Sequence, residues 1–189
     1  MREQDYPLPD EFEQAFEKSD NIVLEVDLNT EDRQGRRKKL LELTRYPNNK
    51  SLKTELTQDV YNKLDSAFTK SGLILERMVG LKPVMAALTL TRVELMKMGV
   101  TSDEVDKHFL KKANAEGKHL LFLESMDNQW NLYLQMEEEN VNDYILYSLG
   151  EVEYYRRNIN EIIECWENGS VEIWIEWINI FKQDYPNFY

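Results

Sequence analysis

Two short apolar runs interrupt a chain whose pattern is otherwise helical. Ile22-Val23-Leu24-Glu25-Val26-Asp27-Leu28 is rich in β-branched residues, and His119-Leu120-Leu121-Phe122-Leu123-Glu124 is apolar nearly throughout. Runs of this length and character read as strands, near residues 21–28 and 119–125, each buried on both faces. Elsewhere apolar residues recur every three or four positions, the period of a helix. Pro9-Asp10-Glu11 opens a first helix, with Phe12, Ala15 and Phe16 as its stripe, and Ser19-Asp20-Asn21 ends it. Arg33 to Thr44 reads as a short basic helix. Thr57-Gln58-Asp59 caps a helix that carries Val60, Leu64 and Phe68 and stops at Gly72. A short helical piece covers 73–79. Pro83 starts a longer helix through Met98, with Met85, Leu88, Met96 and Met98 expected in its core face. Thr101-Ser102-Asp103-Glu104 begins another, with Val105, Phe109, Leu110 and Ala113 inward and Gly117 as its stop. From Asp127 the chain reads as helical nearly to its end, broken at Asn168-Gly169-Ser170, and Trp174, Trp177, Ile178 and Phe181 line the last helix.

The order of elements predicts an α/β fold that is predominantly helical, with a small, mostly parallel sheet covered by helices. No repeat or low-complexity linker divides residues 1–189, which points to a single domain. A parallel pair of strands keeps an unpaired edge on each side and is a poor sheet by itself. The expected completion is a strand hidden in the C-terminal region, segments outside this chain, or a second subunit in a homo-oligomer.

Charge and composition narrow the partners. Against 35 Asp and Glu stand 23 Lys and Arg, a formal net charge of −12. Phosphate recognition needs clustered Lys and Arg, so nucleic acid and anionic membrane are excluded as main partners. The sequence has no stretch of about 18 apolar residues that would span a membrane, and its N-terminus has no signal-peptide h-region. One cysteine and two histidines exclude an internal disulfide and a Cys/His zinc cluster. Cys165 falls in an apolar stripe beside Trp166 and reads as core. His108 lies among Lys107, Lys111 and Lys112 and reads as surface, as does the basic run Arg36-Arg37-Lys38-Lys39. His119 opens a strand.

Both strands end in acid: Glu25 with Asp27 on one, Glu124 on the other. In open α/β sheets ligands collect beyond the carboxyl ends of the strands. If the strands are parallel neighbours, these carboxylates converge at one edge, where such a pair can bind a divalent cation or divide acid and base roles. Acids at strand ends also cap the next helix or pair with Arg. Gln129, five residues after Glu124, can face the same crevice.

The assembled pattern resembles the TraB/PrgY/GumN family, related to the Tiki metalloproteases. The likeness is carried by Tyr6-Pro7-Leu8-Pro9, then Ser19 to Asp27, Leu81-Lys82-Pro83, and Gly99 to Phe109. It continues through Ala113, Gly117-Lys118, Leu123-Glu124-Ser125 and Gln129, and through Trp166-Glu167-Asn168-Gly169. Glu104 stands where the family more often has Gly. The resemblance implies a metal-dependent hydrolase of peptidase type, with Glu25 as metal ligand and catalytic residue. Asp27, Glu124 and Gln129 would then shape a pocket for a peptide or protein substrate. The family's two Gly-x-x-His motifs do not carry over. They belong before Tyr6 and after the last helix, so the expectation is a domain incomplete at both ends. An intact parent would hold Mn, Co or Zn; this chain is expected to bind none of them tightly. Many intact relatives are extracytoplasmic. The alternative is a non-catalytic peptide- or protein-binding module, or a pseudoenzyme scaffold, with Trp174, Trp177 and Phe181 as anchors if exposed.

Overall fold

The computed structural model describes residues 2, 6–27, 33–47, 49–100 and 105–186; the side chains of residues 33–37, 39 and 136–139 lie outside the description. Leu28, Thr101 to Glu104 and the side chains of Arg36, Arg37 and Lys39 are therefore outside the described residues. In chain order the elements are α1 (Asp10–Lys18), β1 (Asn21–Val26), α2 (Arg33–Thr44), α3 (Leu52–Glu55), α4 (Gln58–Lys70), a 3₁₀ turn at Leu75–Met78, α5 (Pro83–Lys97), α6 (Val105–Glu116), β2 (His119–Glu124), α7 (Met126–Glu139), α8 (Val141–Asn168) and α9 (Glu172–Asp184). The fold is the helix-dominated α/β arrangement that the periodicity predicts. It forms two compact units, one within residues 1–33 and 99–132, the other within 34–98 and 133–189.

The first unit is built on β1 and β2, which pair in parallel with Asn21 opposite His119 and Val26 opposite Glu124. Side chains alternate across the pair, as they must in a strand. Leu24 and Val26 are buried, whereas Val23 is 53% exposed, Leu121 44% and Leu123 76%. The expectation of two buried faces is corrected: one face is covered and the other is open. The covered face meets α6, which lies against both strands. Its Leu110 and Ala113 are buried, as is Phe16 of α1.

Two sets of contacts hold α1 to α6. Phe16 stacks on Phe109 with ring centroids 5.5 Å apart. Glu13 of α1 accepts hydrogen bonds from Lys112 and, at 3.2 Å, from His108. The Lys112 and His108 bonds hold the Glu13 carboxyl below its ordinary range. The last carbonyls of α1 find no partner within their own helix. Lys118 supplies one: its ammonium donates to the carbonyls of Phe16 at 2.9 Å, Glu17 at 3.3 Å and Ser19 at 2.8 Å. The ammonium also lies 4.7 Å from the centre of the Phe16 ring. Gly117, at φ 69°, makes the left-handed turn that ends α6 and delivers Lys118 to this position.

The second unit is helical. Asn140 accepts a hydrogen bond from the Asp143 N–H and starts α8, so the continuous helix expected from Asp127 is two helices. α3 was not legible from periodicity, because a single turn is too short to show one. Its Ser51 and Thr54 form a reciprocal capping box. α5 and α8 pack along one another. The core face of α5 is Pro83, Val84, Ala86, Ala87 and Leu90. This corrects the expected methionine stripe: Met96 is 57% exposed, and Met85 and Met98 are half-buried. Small residues let two helix backbones approach closely, which a methionine row would prevent.

One carboxylate interrupts that apolar face. Glu94 is buried and accepts hydrogen bonds from Arg156 of α8 at 2.7 Å and from Lys97 at 2.8 Å. Burial opposes its ionisation, but the Arg156 and Lys97 bonds outweigh it and hold the carboxyl at about 2.

Two predictions follow from these contacts. A depressed folded-state value adds stability above the ordinary carboxylate range, and that stability is lost as pH falls from about 4.5 towards 2. Arg156→Met should therefore cost about 3 kcal/mol at neutral pH, because a buried carboxylate loses its main partner, and should flatten the acid limb of a urea-denaturation series over that window. Lys118→Met should cost about 2 kcal/mol by removing the ammonium shared by the carbonyls of Phe16, Glu17 and Ser19, with hydrogen-exchange protection falling at the residues of α1.

Candidate functional site

The carboxyl ends of β1 and β2 lie side by side, so the acids predicted to converge do reach the same end of the sheet. The pleat then separates them. Glu124 lies opposite Val26 in the register and shares the covered side with it. Glu25 falls one position earlier on β1, beside Leu123, on the open side with Val23. The two candidate acids therefore project from opposite faces.

Each has its own surroundings. Glu124 accepts a hydrogen bond from the Gln129 amide at 3.0 Å. The spacing suggests only that Gln129 can face the same crevice; the helix start explains the pairing. The Asn128 N–H bonds to the Ser125 hydroxyl at 3.2 Å and begins α7 there, which turns Gln129 back over Glu124. Glu25 is exposed, and its N–H donates to the Asp106 carboxylate at 3.4 Å. Asp27 lies one residue past the end of β1 and is half-buried.

A bound divalent metal needs several donor side chains around one point. Among the described residues, no group of three or more His, Cys, Asp or Glu side chains gathers in that way. His119 lies on the open face with Glu25, but four residues back from Leu123, or roughly 13 Å along the strand at about 3.3 Å per residue. Its ring meets the Asn21 side chain at 3.1 Å. His108 faces Glu13. The described residues around Glu25 thus do not fit the divalent cation that the resemblance implies.

A groove of about 310 Å³ runs beside β1. It is lined by Asn21 to Leu24 of the strand, by Phe12 and Phe16 of α1, and by Asp106 and Phe109 of α6. Asp106 was missed in the sequence, though it falls on the inner stripe of α6 with Phe109, Leu110 and Ala113. A carboxylate on an apolar stripe is the signal that could have found it. The anchors foreseen on the last helix divide. Phe181 is 2% exposed and belongs to the core. Trp177 packs on it at 5.2 Å. Trp174 is exposed, with Ile175 and Ile178 nearby on the helix.

A family model described as TraB/PrgY/gumN family matches residues 1–189. The chain belongs to the TraB/PrgY/gumN family. No curated protein and no solved structure matches it. The residues that carry the TraB/PrgY/gumN resemblance have structural work here. Gly117 and Lys118 end α6 and cap α1, Ser125 starts α7, and Gln129 holds Glu124. Gly169, at φ 68°, ends α8 after Asn168.

Among the described residues, the carboxyl group pushed furthest towards neutrality lies in the second unit. Burial raises Glu151 of α8 to about 7, against hydrogen bonds from Tyr147 at 3.3 Å and Tyr155 at 3.5 Å. These three side chains share one side of α8 at four-residue spacing. Next to Glu151, a Cβ on Gly150 would collide with the phenol oxygen of Tyr185 and lie 3.0 Å from its Cζ. Tyr147, Phe181 and Tyr185 pack edge to face and tilted around this point.

A carboxyl raised in the folded state weakens the fold once it ionises. The unfolded chain releases its proton near 4.5 and the folded chain near 7, so stability should fall as pH rises between those values. Glu151→Gln should remove this fall and stabilise the protein at pH 8 by up to about 3 kcal/mol. Denaturant midpoints of the two proteins at pH 5 and pH 8 measure it; equal gains at both would show that ionisation is not the cause.

Proposed function

We propose that this TraB/PrgY/gumN family chain is a peptide- or protein-binding module. The observation that carries this reading is the apolar groove beside β1, open to solvent and walled by aromatic rings. Pockets of this size with few polar groups are the usual form of a binding site. The acidic balance of the chain agrees with a partner that is neutral or basic.

The second reading is the metal-dependent peptidase that the family resemblance suggests, with Glu25 as ligand and Glu124 and Gln129 shaping the pocket. What favours it is the exposure of Glu25 at the carboxyl end of a parallel strand pair, the usual ligand position in α/β sheets. What weighs against it is the donor set around Glu25. Its metal would be Mn, Co or Zn, and further donors would have to come from outside the described residues.

Two measurements on the purified full chain separate the readings. Affinity selection from a random octapeptide pool, read by mass spectrometry, should enrich extended apolar sequences. Metal analysis after exposure to Mn, Co and Zn followed by desalting should leave well under one ion per chain. A stoichiometric ion that disappears in Glu25→Ala, with no peptide enriched, would replace the first reading by the second.

A further inference from the structure

We infer that the groove takes its ligand as an added β-strand, hydrogen-bonded along the open edge of β1, with a basic residue at the end nearest Glu25. This rests on the binding reading and specifies its mode.

The phase of the strand establishes which backbone groups are on offer. The His119 N–H donates to the Asp20 carbonyl at 3.3 Å. Backbone groups alternate in direction along a strand, so Ile22, Leu24 and Val26 aim theirs at β2, while Asn21, Val23 and Glu25 aim theirs away from it. The Glu25 N–H agrees, since it meets Asp106 on that outer side. The outward N–H and C=O of Asn21 and Val23 therefore line the same groove that Phe12, Phe16 and Phe109 wall. A row of backbone donors and acceptors at a two-residue repeat is matched by another extended backbone. Alternate side chains of that strand would meet the aromatic wall, and the others would lie beside exposed Val23 on the open face.

Charge sets the composition of the occupant. Asp106 lines the groove and accepts the Glu25 N–H, and the exposed Glu25 side chain stands on the open face at that end of β1, in a chain of net charge −12. A Lys or Arg at that end of the added strand would meet the Asp106 carboxylate on the groove side, or that of Glu25 from the open face. An acidic residue there would be repelled. The occupant is thus an extended segment with apolar residues at alternate positions and a cationic end.

The test uses the full chain and a fluorescein-labelled hexapeptide of alternating Val and Thr with Lys at one end, read by fluorescence anisotropy. N-methylation removes amide donors and leaves side chains in place. Methylating the alternate amides of one register should weaken binding at least about tenfold, as expected for two or more lost hydrogen bonds, and methylating the other register should change little. Val23→Pro removes an outward N–H and leaves the ladder to β2 intact, so it should lose binding about tenfold with an unchanged circular dichroism spectrum. Asp106→Asn should reduce the preference for Lys over Glu at the peptide end. Binding that ignores methylation in both registers overturns the strand mode and leaves the binding reading standing. Failure of this probe with a protein that enriches peptides from the octapeptide pool also overturns the mode alone; failure of both overturns both. A concentration-dependent dimer in analytical ultracentrifugation, abolished by Val23→Pro, would make the occupant a second copy and overturn the peptide assignment.

Discussion

Among the described residues, two six-residue strands pair in a sheet only with each other and leave half their backbone groups pointing outward on either side, and the first unit is arranged around that constraint. Water or another polar group must meet every one of those donors and acceptors. The inner face is covered by α6, with Leu24, Val26, Leu110 and Ala113 buried. At the ends the contacts are polar. Lys118 gathers the terminal carbonyls of α1 just before β1 begins, and Asp106 receives the Glu25 N–H just before β1 ends. Between these two points the outer edge of β1 has no such cover from the described residues, and that is where the groove lies. The proposed ligand mode thus follows from the same demand that shaped the unit.

The second unit solves a different problem, that of ionisable groups inside a helical core. Glu94 and Glu151 are both carboxyls at the packed faces of helices, yet they move in opposite directions. Glu94 is met by a guanidinium and an ammonium, which stabilise the charged form more than burial penalises it. Glu151 is met by two phenols, which are neutral donors and do not compensate its burial. The charged partners of Glu94 and the neutral ones of Glu151 account for the opposite signs.

Much of this architecture is written in local pattern. Both strands, the ends of α1 and α4, and the C-terminal stop of α6 are legible, because each depends on spacing within one element or across one turn. The open face of the sheet is not. Leu121 and Leu123 are apolar whether or not a partner covers them, so a continuous apolar run cannot reveal which face is vacant. The opposite orientation of Glu25 and Glu124 depends on the pairing register, a long-range property. The core of α5 was misjudged for a related reason: hydrophobicity favours methionine, but the closeness of α8 selects Ala86 and Ala87. Lys118 and Asp106 act across more than 80 residues of sequence, on carbonyls and an amide that no side-chain pattern records.

Asp106 also bears on how far any pairing along β1 can spread. An uninterrupted strand edge can pair with another backbone along its whole length. Here a carboxylate occupies one amide position of the edge, and a strand advancing past it would have to displace that carboxylate or bury its charge. The pairing is therefore bounded in length: the site admits one short segment alongside Asn21 to Val23, and the reach of its occupant is set by the position of a single side chain.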